Sequence, residues 1–212
     1  MKREPKQERA IQTKATILCA AAEVFDEVGY AGASINKIIS RAGVTQGAMY
    51  FHFASKEALA RAVMNAQPNT IVPKLDTEGL QRLVDITMIW ALQMRSDSLL
   101  RAGVRLTTEQ GTFGAHDATP YTDWAAIMVE CLRTSQEKGE LLPGVDPEEV
   151  AHFIVAACTG MQMYSEAVNG RVDLADRAVS MWRLMLPAIA VPTVVARTSV
   201  SPERFRQAAV SD

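Results

Sequence analysis

Three small hydroxyl residues, Ser34, Thr45 and Ser55, each stand just before a short apolar pattern of helical spacing. A hydroxyl in that place accepts a hydrogen bond from the free amides of the next turn and starts a helix. Ser34 opens a helix carrying Ile35, Ile38 and Ile39 that ends near Ala42-Gly43. Thr45 opens a second, Gln46 to Phe51, and Ser55 a third, from Lys56 to about Ala66, with Pro68 marking its end. Between the first two lies Ala42-Gly43-Val44, a tight turn with glycine where the chain bends. That is helix-turn-helix spacing. A longer helix precedes it, from about Gln7 to Val28. Its apolar face is Ile11, Ile17, Leu18, Ala21, Val24, Phe25 and Val28, and Gly29 is its stop.

The rest of the chain also reads as helix. Residues 69–75 form a linker. An amphipathic helix runs from about Thr77 to Met94, and Asp97 restarts helix to about Glu109. A loop covers 110–119, and Pro120 opens a helix to Lys138 that stops at Gly139. Asp146-Pro147-Glu148-Glu149 is a strong helix start, and its helix reaches about Val168. Asp173 begins the last long helix, to about Leu186-Pro187, and Ser201-Pro202-Glu203 opens a short terminal one. Phe153, Ile154, Val155, Ala157, Cys158, Met161, Met163 and Tyr164 leave the first of the two long C-terminal helices little polar face. Met181, Trp182, Leu184, Met185 and Leu186 do the same for the second. Such helices are buried on several sides. Two per subunit suit a four-helix homodimer interface, or else a central pair in a monomer. The fold class expected is all-α, with a helix-turn-helix domain at 1–55 and a larger helical ligand-binding and dimerisation domain at 56–212.

Charge is distributed unevenly. Residues 1–61 carry 9 Lys+Arg against 6 Asp+Glu, and the remainder 13 against 18. A basic end on an acidic body fits DNA binding confined to that end. Cys19, Cys131 and Cys158 each lie in an apolar helical pattern without CxxC spacing, which reads as three reduced core or interface thiols. No uninterrupted apolar run is long enough to span a bilayer, and no signal-peptide pattern follows the N-terminus, so the expected location is the cytoplasm.

Thr45-Gln46-Gly47-Ala48-Met49-Tyr50 is the expected recognition helix. Gly47 and Ala48 are small enough for close approach to base edges. Tyr50 and His52 are polar aromatics able to bond phosphate, and Lys56 lies in the first turn of the next helix. With the capping Ser34, the expected DNA-facing set is Ser34, Thr45, Gln46, Gly47, Ala48, Tyr50, His52 and Lys56. Tyr50-Phe51-His52-Phe53 also contributes to packing. No glycine-rich phosphate loop, Cys/His metal cluster or nucleophile motif is present, so the reading is not an enzyme, and neither metal nor cofactor is implied.

Gly29-Tyr30, Ser34-Ile35, Ile38-Ile39, Ala42-Gly43-Val44-Thr45, Gly47, Tyr50, His52-Phe53 and Lys56-Glu57-Ala58-Leu59 together resemble the TetR family. The resemblance implies an all-helical homodimer on palindromic operator DNA, in which ligand changes the separation of the two recognition helices. Relatives of this type usually carry Lys before the recognition-helix glycine, where this chain has Gln46.

A narrower resemblance covers most of the chain. Arg101-Ala102-Gly103-Val104-Arg105-Leu106, Trp124, Gly139-Glu140-Leu141, Thr159-Gly160-Met161-Gln162, Met181-Trp182 and Leu186-Pro187-Ala188-Ile189-Ala190 look like the γ-butyrolactone autoregulator receptors of actinomycetes. Those repress antibiotic-production genes until a diffusible lactone binds. By this resemblance Trp124 is a wall of the pocket, and Gln67 and Thr159 supply hydrogen bonds. The residues alone leave Trp124 as core or wall, and Thr159 as bonded to its own backbone or to ligand. Met88, Leu92, Val155 and Met163 are candidate apolar lining. Two other readings keep the fold, a regulator of an efflux pump or an antibiotic-sensing pseudo-receptor. The assigned segments hold few carboxylates beyond Glu166 and Asp123, which favours a neutral ligand.

Overall fold

The computed structural model describes residues 6–72 and 75–206. In chain order the helices are α1 (Lys6–Gly32), α2 (Ile35–Ala42), α3 (Gln46–His52), α4 (Lys56–Asn65), α5 (Gly79–Gln93), α6 (Ser98–Thr108), α7 (Thr119–Glu137), α8 (Pro147–Asn169), α9 (Leu174–Ile189), α10 (Pro192–Arg197) and α11 (Glu203–Arg206). Short 3-10 turns occupy Gln67–Thr70 and Gln110–Phe113. There is no strand among the described residues, only one isolated bridge between Leu141 and Ala190.

Local chemistry sets most of the starts. Ser34 Oγ accepts from the Lys37 amide at 3.2 Å, Thr45 Oγ1 from Ala48 at 3.2 Å, and Ser55 Oγ from Ala58 at 3.0 Å. Asp97 caps α6 through the Leu99 and Leu100 amides, and Asp146 caps α8 through Glu148. Asp173 does not cap α9 with its side chain. Its carboxylate instead takes the Arg177 guanidinium and the Ser165 hydroxyl, which hold its pKa down at about 2. Helix α10 lies where no helix was expected, opened by Pro192 at its first position.

The chain forms two compact units. The first runs to Thr70 and also takes in Asp97–Pro120. Its core joins Ile17, Ala21, Val24 and Phe25 of α1 to Ile38 of α2, Met49 of α3, Leu59 and Val63 of α4, and Ala102 and Leu106 of α6. Burying each large side chain contributes roughly 1.5–3 kcal/mol. Two positions of the expected apolar face of α1 do not join this core: Ile11 is 65% exposed, and Val28 is exposed near the other end. Cys19 is exposed as well, which corrects its reading as a core thiol. Cys131 and Cys158 are buried, and burial pushes their thiols up to about 11 and about 12.

Helix α6 is tied to the end of α1 by a polar clasp. Asp26 takes a bidentate pair from Arg101, at 2.6 Å from Nη2 and 3.0 Å from Nε. Arg105 donates to the Asp26 carbonyl and to Glu109, whose second oxygen accepts the Tyr30 amide at 3.1 Å. The clasp requires Gly29, which breaks α1 with φ +67° and ψ −178°, a region open essentially to glycine. A Cβ there would lie 2.7 Å from Arg105 Nη2 and 2.9 Å from Glu109 Oε2. Gly29→Ala is therefore expected to destabilise the unit by about 1–3 kcal/mol from backbone strain alone. Chemical denaturation is the check, and an unchanged midpoint would show that the break at Gly29 relaxes freely.

The second unit comprises Ile71–Ser96 and the chain from Tyr121 onward. Its central helix is α5: Leu80, Leu83, Val84, Asp85, Ile86, Thr87, Met88, Trp90 and Ala91 are all buried. The Trp182 indole of α9, fully buried, donates to Thr87 Oγ1 at 2.6 Å. Buried Glu140 accepts from the Leu80 amide at the start of α5 and from Arg197 of α10. Buried Asp85 accepts from Thr77, Gln81 and Arg204 of α11. Desolvation raises its pKa against the bonds from Thr77 and Gln81. Helices α8 and α9, expected to be buried on several sides in a homodimer or as a central pair, leave part of their apolar surface open in the single chain. Phe153, Met163, Tyr164, Val168 and Leu184 are exposed, Leu184 by 80%. Helix α5, expected to be amphipathic, is buried on most of its sides.

Candidate DNA interface and ligand site

Helix α2 ends on Gly43, whose φ of +63° lets its amide return to the Ile39 carbonyl and turn the chain directly into Thr45. Met49 is then fully buried and anchors α3 by its inner side. The outer side presents Gln46, Gly47, Tyr50 and Phe51, all exposed. Ser34 and Thr45 lie at the capped starts of α2 and α3. Ala48 and His52 are half-buried at the margins of the α3 face, and the His52 ring stands edge-on to Phe51 at 5.0 Å between centroids.

The cations of this region are largely engaged. Lys56 places its Nζ 4.2 Å over the Tyr30 ring, and burial lowers its pKa. Lys37 and Arg41 turn to Glu27 and Glu23 of α1, at 3.4 Å for Lys37–Glu27 and 3.0 Å for Arg41–Glu23. The hydrogen bond from Arg41 lowers the Glu27 pKa. The outer side of α3 itself carries no charge. Gln46→Lys would add a cation there and one phosphate contact per subunit. The slope of log K against log salt is then expected to steepen by about 0.9 per added contact. Titrations at several salt concentrations read it directly, and an unchanged slope means that position 46 faces away from the backbone.

The expected ligand residues fall in different settings. Gln67, in the first unit, is buried, and its amide donates to the Met64 carbonyl at 2.9 Å and to Thr107 Oγ1 at 3.3 Å. In the second unit Met88 is fully buried in α5, and Leu92 is half-buried one turn on. Val155 and Thr159 of α8 share a cavity of about 410 Å³ with Tyr121, Thr122 and Ala125 of α7 and with His152 and Ala156. The Thr159 hydroxyl donates to the Val155 carbonyl at 2.8 Å, so its lone pairs remain as acceptors. Trp124 is half-buried on α7, one turn beyond Tyr121. Met163 is 54% exposed on α8. An adjoining cavity of about 510 Å³ shares Thr122, Ala125 and His152 and adds Glu130, Arg133, Glu137 and Glu148, with Arg133 paired to Glu148.

The sequence singles out neither Phe51, exposed on the outer side of α3, nor Tyr121 and His152, which line the cavity. Phe51 sits in an aromatic run that reads as packing. Its one available signal was its spacing of four from Gly47, which puts both on the outer side.

A capped helix-turn-helix on a small helical core, joined to a second helical unit with a cavity, defines a one-component helix-turn-helix regulator. Residues 17–63 match the model of bacterial regulatory proteins, tetR family, and residues 77–192 match a tetracyclin repressor-like C-terminal domain. The chain belongs to the TetR family. It is 46% identical over 200 residues to the A-factor receptor protein of Streptomyces griseus, across 93% of this chain and 70% of that one. Among solved structures it resembles full-length TylP, a TetR regulator from Streptomyces fradiae, with TM-score 0.86 and 40% identity over 92% of this chain and 95% of the other. It also resembles a γ-butyrolactone receptor described as ArpA-like, with TM-score 0.67 and 30% identity over 95% of this chain and 100% of that one. No helix among the described residues is long and apolar enough to cross a membrane.

Proposed function

We propose that this chain is a DNA-binding transcriptional repressor that a γ-butyrolactone or related butenolide or furan signal releases from its operator, and that it controls antibiotic-production genes. The observation that carries the reading is the 46% likeness to an A-factor receptor, which spans both units and not the helix-turn-helix alone. The outer side of α3 suits a major groove. Gly47 permits close approach, and Gln46 and Tyr50 carry donors and acceptors. In the second unit, Trp124, Val155, Thr159, Met88, Leu92 and Met163 are the proposed ligand contacts. An uncharged lactone with an alkyl tail suits an apolar wall with a few hydroxyls. The protein acts in the cytoplasm as a homodimer on a palindromic site. The exposed Phe153 and Tyr164 of α8 and Leu184 of α9 supply the dimer surface.

The test is a gel shift with a duplex that the protein itself selects from a randomised library. Release of that duplex by a synthetic γ-butyrolactone at micromolar concentration or below is the expected result. A selected duplex that antibiotics release and γ-butyrolactones do not would replace the lactone by an antibiotic signal, and failure to select any sequence would falsify the repressor reading.

A further inference from the structure

Phe51 is the least expected residue on the surface of the first unit. It is 80% exposed, whereas its neighbours Met49 and Phe53 belong to the core. Its ring touches the edge of His52 and fills no part of the core cluster. A soluble fold keeps a large apolar side chain in water at a cost, since burying it is favourable wherever it can be done.

The position explains where the ring is covered. Phe51 follows Gly47 by four residues and so lies on the same side of α3, one turn further along. No side chain at Gly47 stands between the backbone and a partner, and nothing but Thr45 Oγ1, at 4.0 Å, comes near the place a Cβ would take. Gln46 and Tyr50, on the same side, can bond base edges or phosphates. Phe51 has no donor or acceptor for either. The prominent apolar group on the floor of a major groove is the thymine C5-methyl, and phenyl-to-methyl contact is one of the recurring base contacts.

We infer that Phe51 determines sequence specificity by reading a thymine methyl in each half-site of the operator. The inference rests on the repressor reading above. It assigns to an apolar side chain a base preference that the hydrogen-bonding residues of α3 do not supply. The alternative cover for the ring is the deoxyribose of the backbone, which carries no sequence information.

The experiment uses the full chain and a duplex selected by it from a randomised library. Each thymine of the selected site is replaced in turn by uracil, which removes the methyl and keeps every hydrogen-bonding group. One symmetric pair of replacements is expected to weaken binding about fifteen-fold, from about four-fold per buried methyl in each of two half-sites. In Phe51→Ala the same replacement is expected to have no effect, while other base changes keep theirs. The exposed position predicts an unaltered thermal melt for the variant, which separates lost reading from lost folding. Equal uracil sensitivity in wild type and Phe51→Ala overturns the inference and leaves the repressor standing. So does a selected site in which no thymine-to-uracil change matters. A library from which no sequence is enriched overturns both together.

Discussion

Trp182→Ala is expected to lose about 3–5 kcal/mol of folding stability and to lower the melting temperature by roughly 6–20 °C. Trp182 is fully buried in α9, and its indole N–H is spent on Thr87 Oγ1 of α5 at 2.6 Å. Truncation opens a cavity at the contact of those two helices, and a close-packed interior relaxes into such a void only in part. Thr87 still donates to the Val84 carbonyl at 2.9 Å, so its hydroxyl keeps one partner and adds little further cost. Trp182→Phe isolates the hydrogen bond with part of the ring volume and is expected to cost less than half as much. Calorimetry of the full chain measures both. A loss below about 1 kcal/mol for the alanine variant would mean that α5 and α9 can close the gap.

Trp124→Ala is expected to keep operator binding and to lose release. The side chain is half-buried on α7, one turn from Tyr121, which lines the cavity that holds Val155 and Thr159, although Trp124 itself does not line it. Losing an aromatic wall costs on the order of 2–4 kcal/mol of ligand binding, roughly 30- to 1000-fold in affinity. DNA release needs a ligand that prefers the conformation unable to bind DNA, so the ligand concentration for half-release rises by a similar factor. Truncation also weakens packing, so thermal melts accompany the gel shifts, and Trp124→Phe, which keeps a smaller ring, should respond in between. Should folded Trp124→Ala leave its operator at the wild-type ligand concentration, Trp124 belongs to the core and the ligand lies elsewhere.

What could be read beforehand was what depends on neighbours in the chain. Ser34, Thr45, Ser55, Asp97 and Asp146 each bond an amide two or three residues on, so the residue type alone marks the helix start. The helix-turn-helix was legible for that reason. The polar pairs that join distant segments were not. Asp26 meets Arg101 across 75 positions, and Asp85 meets Arg204 across 119. Nothing local distinguishes either carboxylate from one on a solvated helix face. Periodicity overran at Ile11 and Val28 because it records which residues share a side, not how far along a helix the packing partner extends. It also misjudged α5. A helix interrupted by Asp85 and Thr87 reads as amphipathic until their distant partners Arg204 and Trp182 are known. In the candidate site, Gln46, Gly47 and Tyr50 were legible because the motif numbers them. Phe51 was lost among aromatics that do pack.

The first unit closes only when α6 returns to α1, and that gives assembly an order in time. A chain emerging from the ribosome has made the helix-turn-helix by Thr70, yet Phe25 and Leu59 still lack Ala102 and Leu106, and Asp26 still lacks Arg101. The chain must be synthesised as far as Pro120 before the DNA-reading head is complete. Translation at about 5–20 residues per second leaves the intervening Ile71–Ser96 to wait for its own later partners meanwhile. The same topology governs transplantation: a head moved to another effector body has to bring two lengths of chain, with α6 as the second.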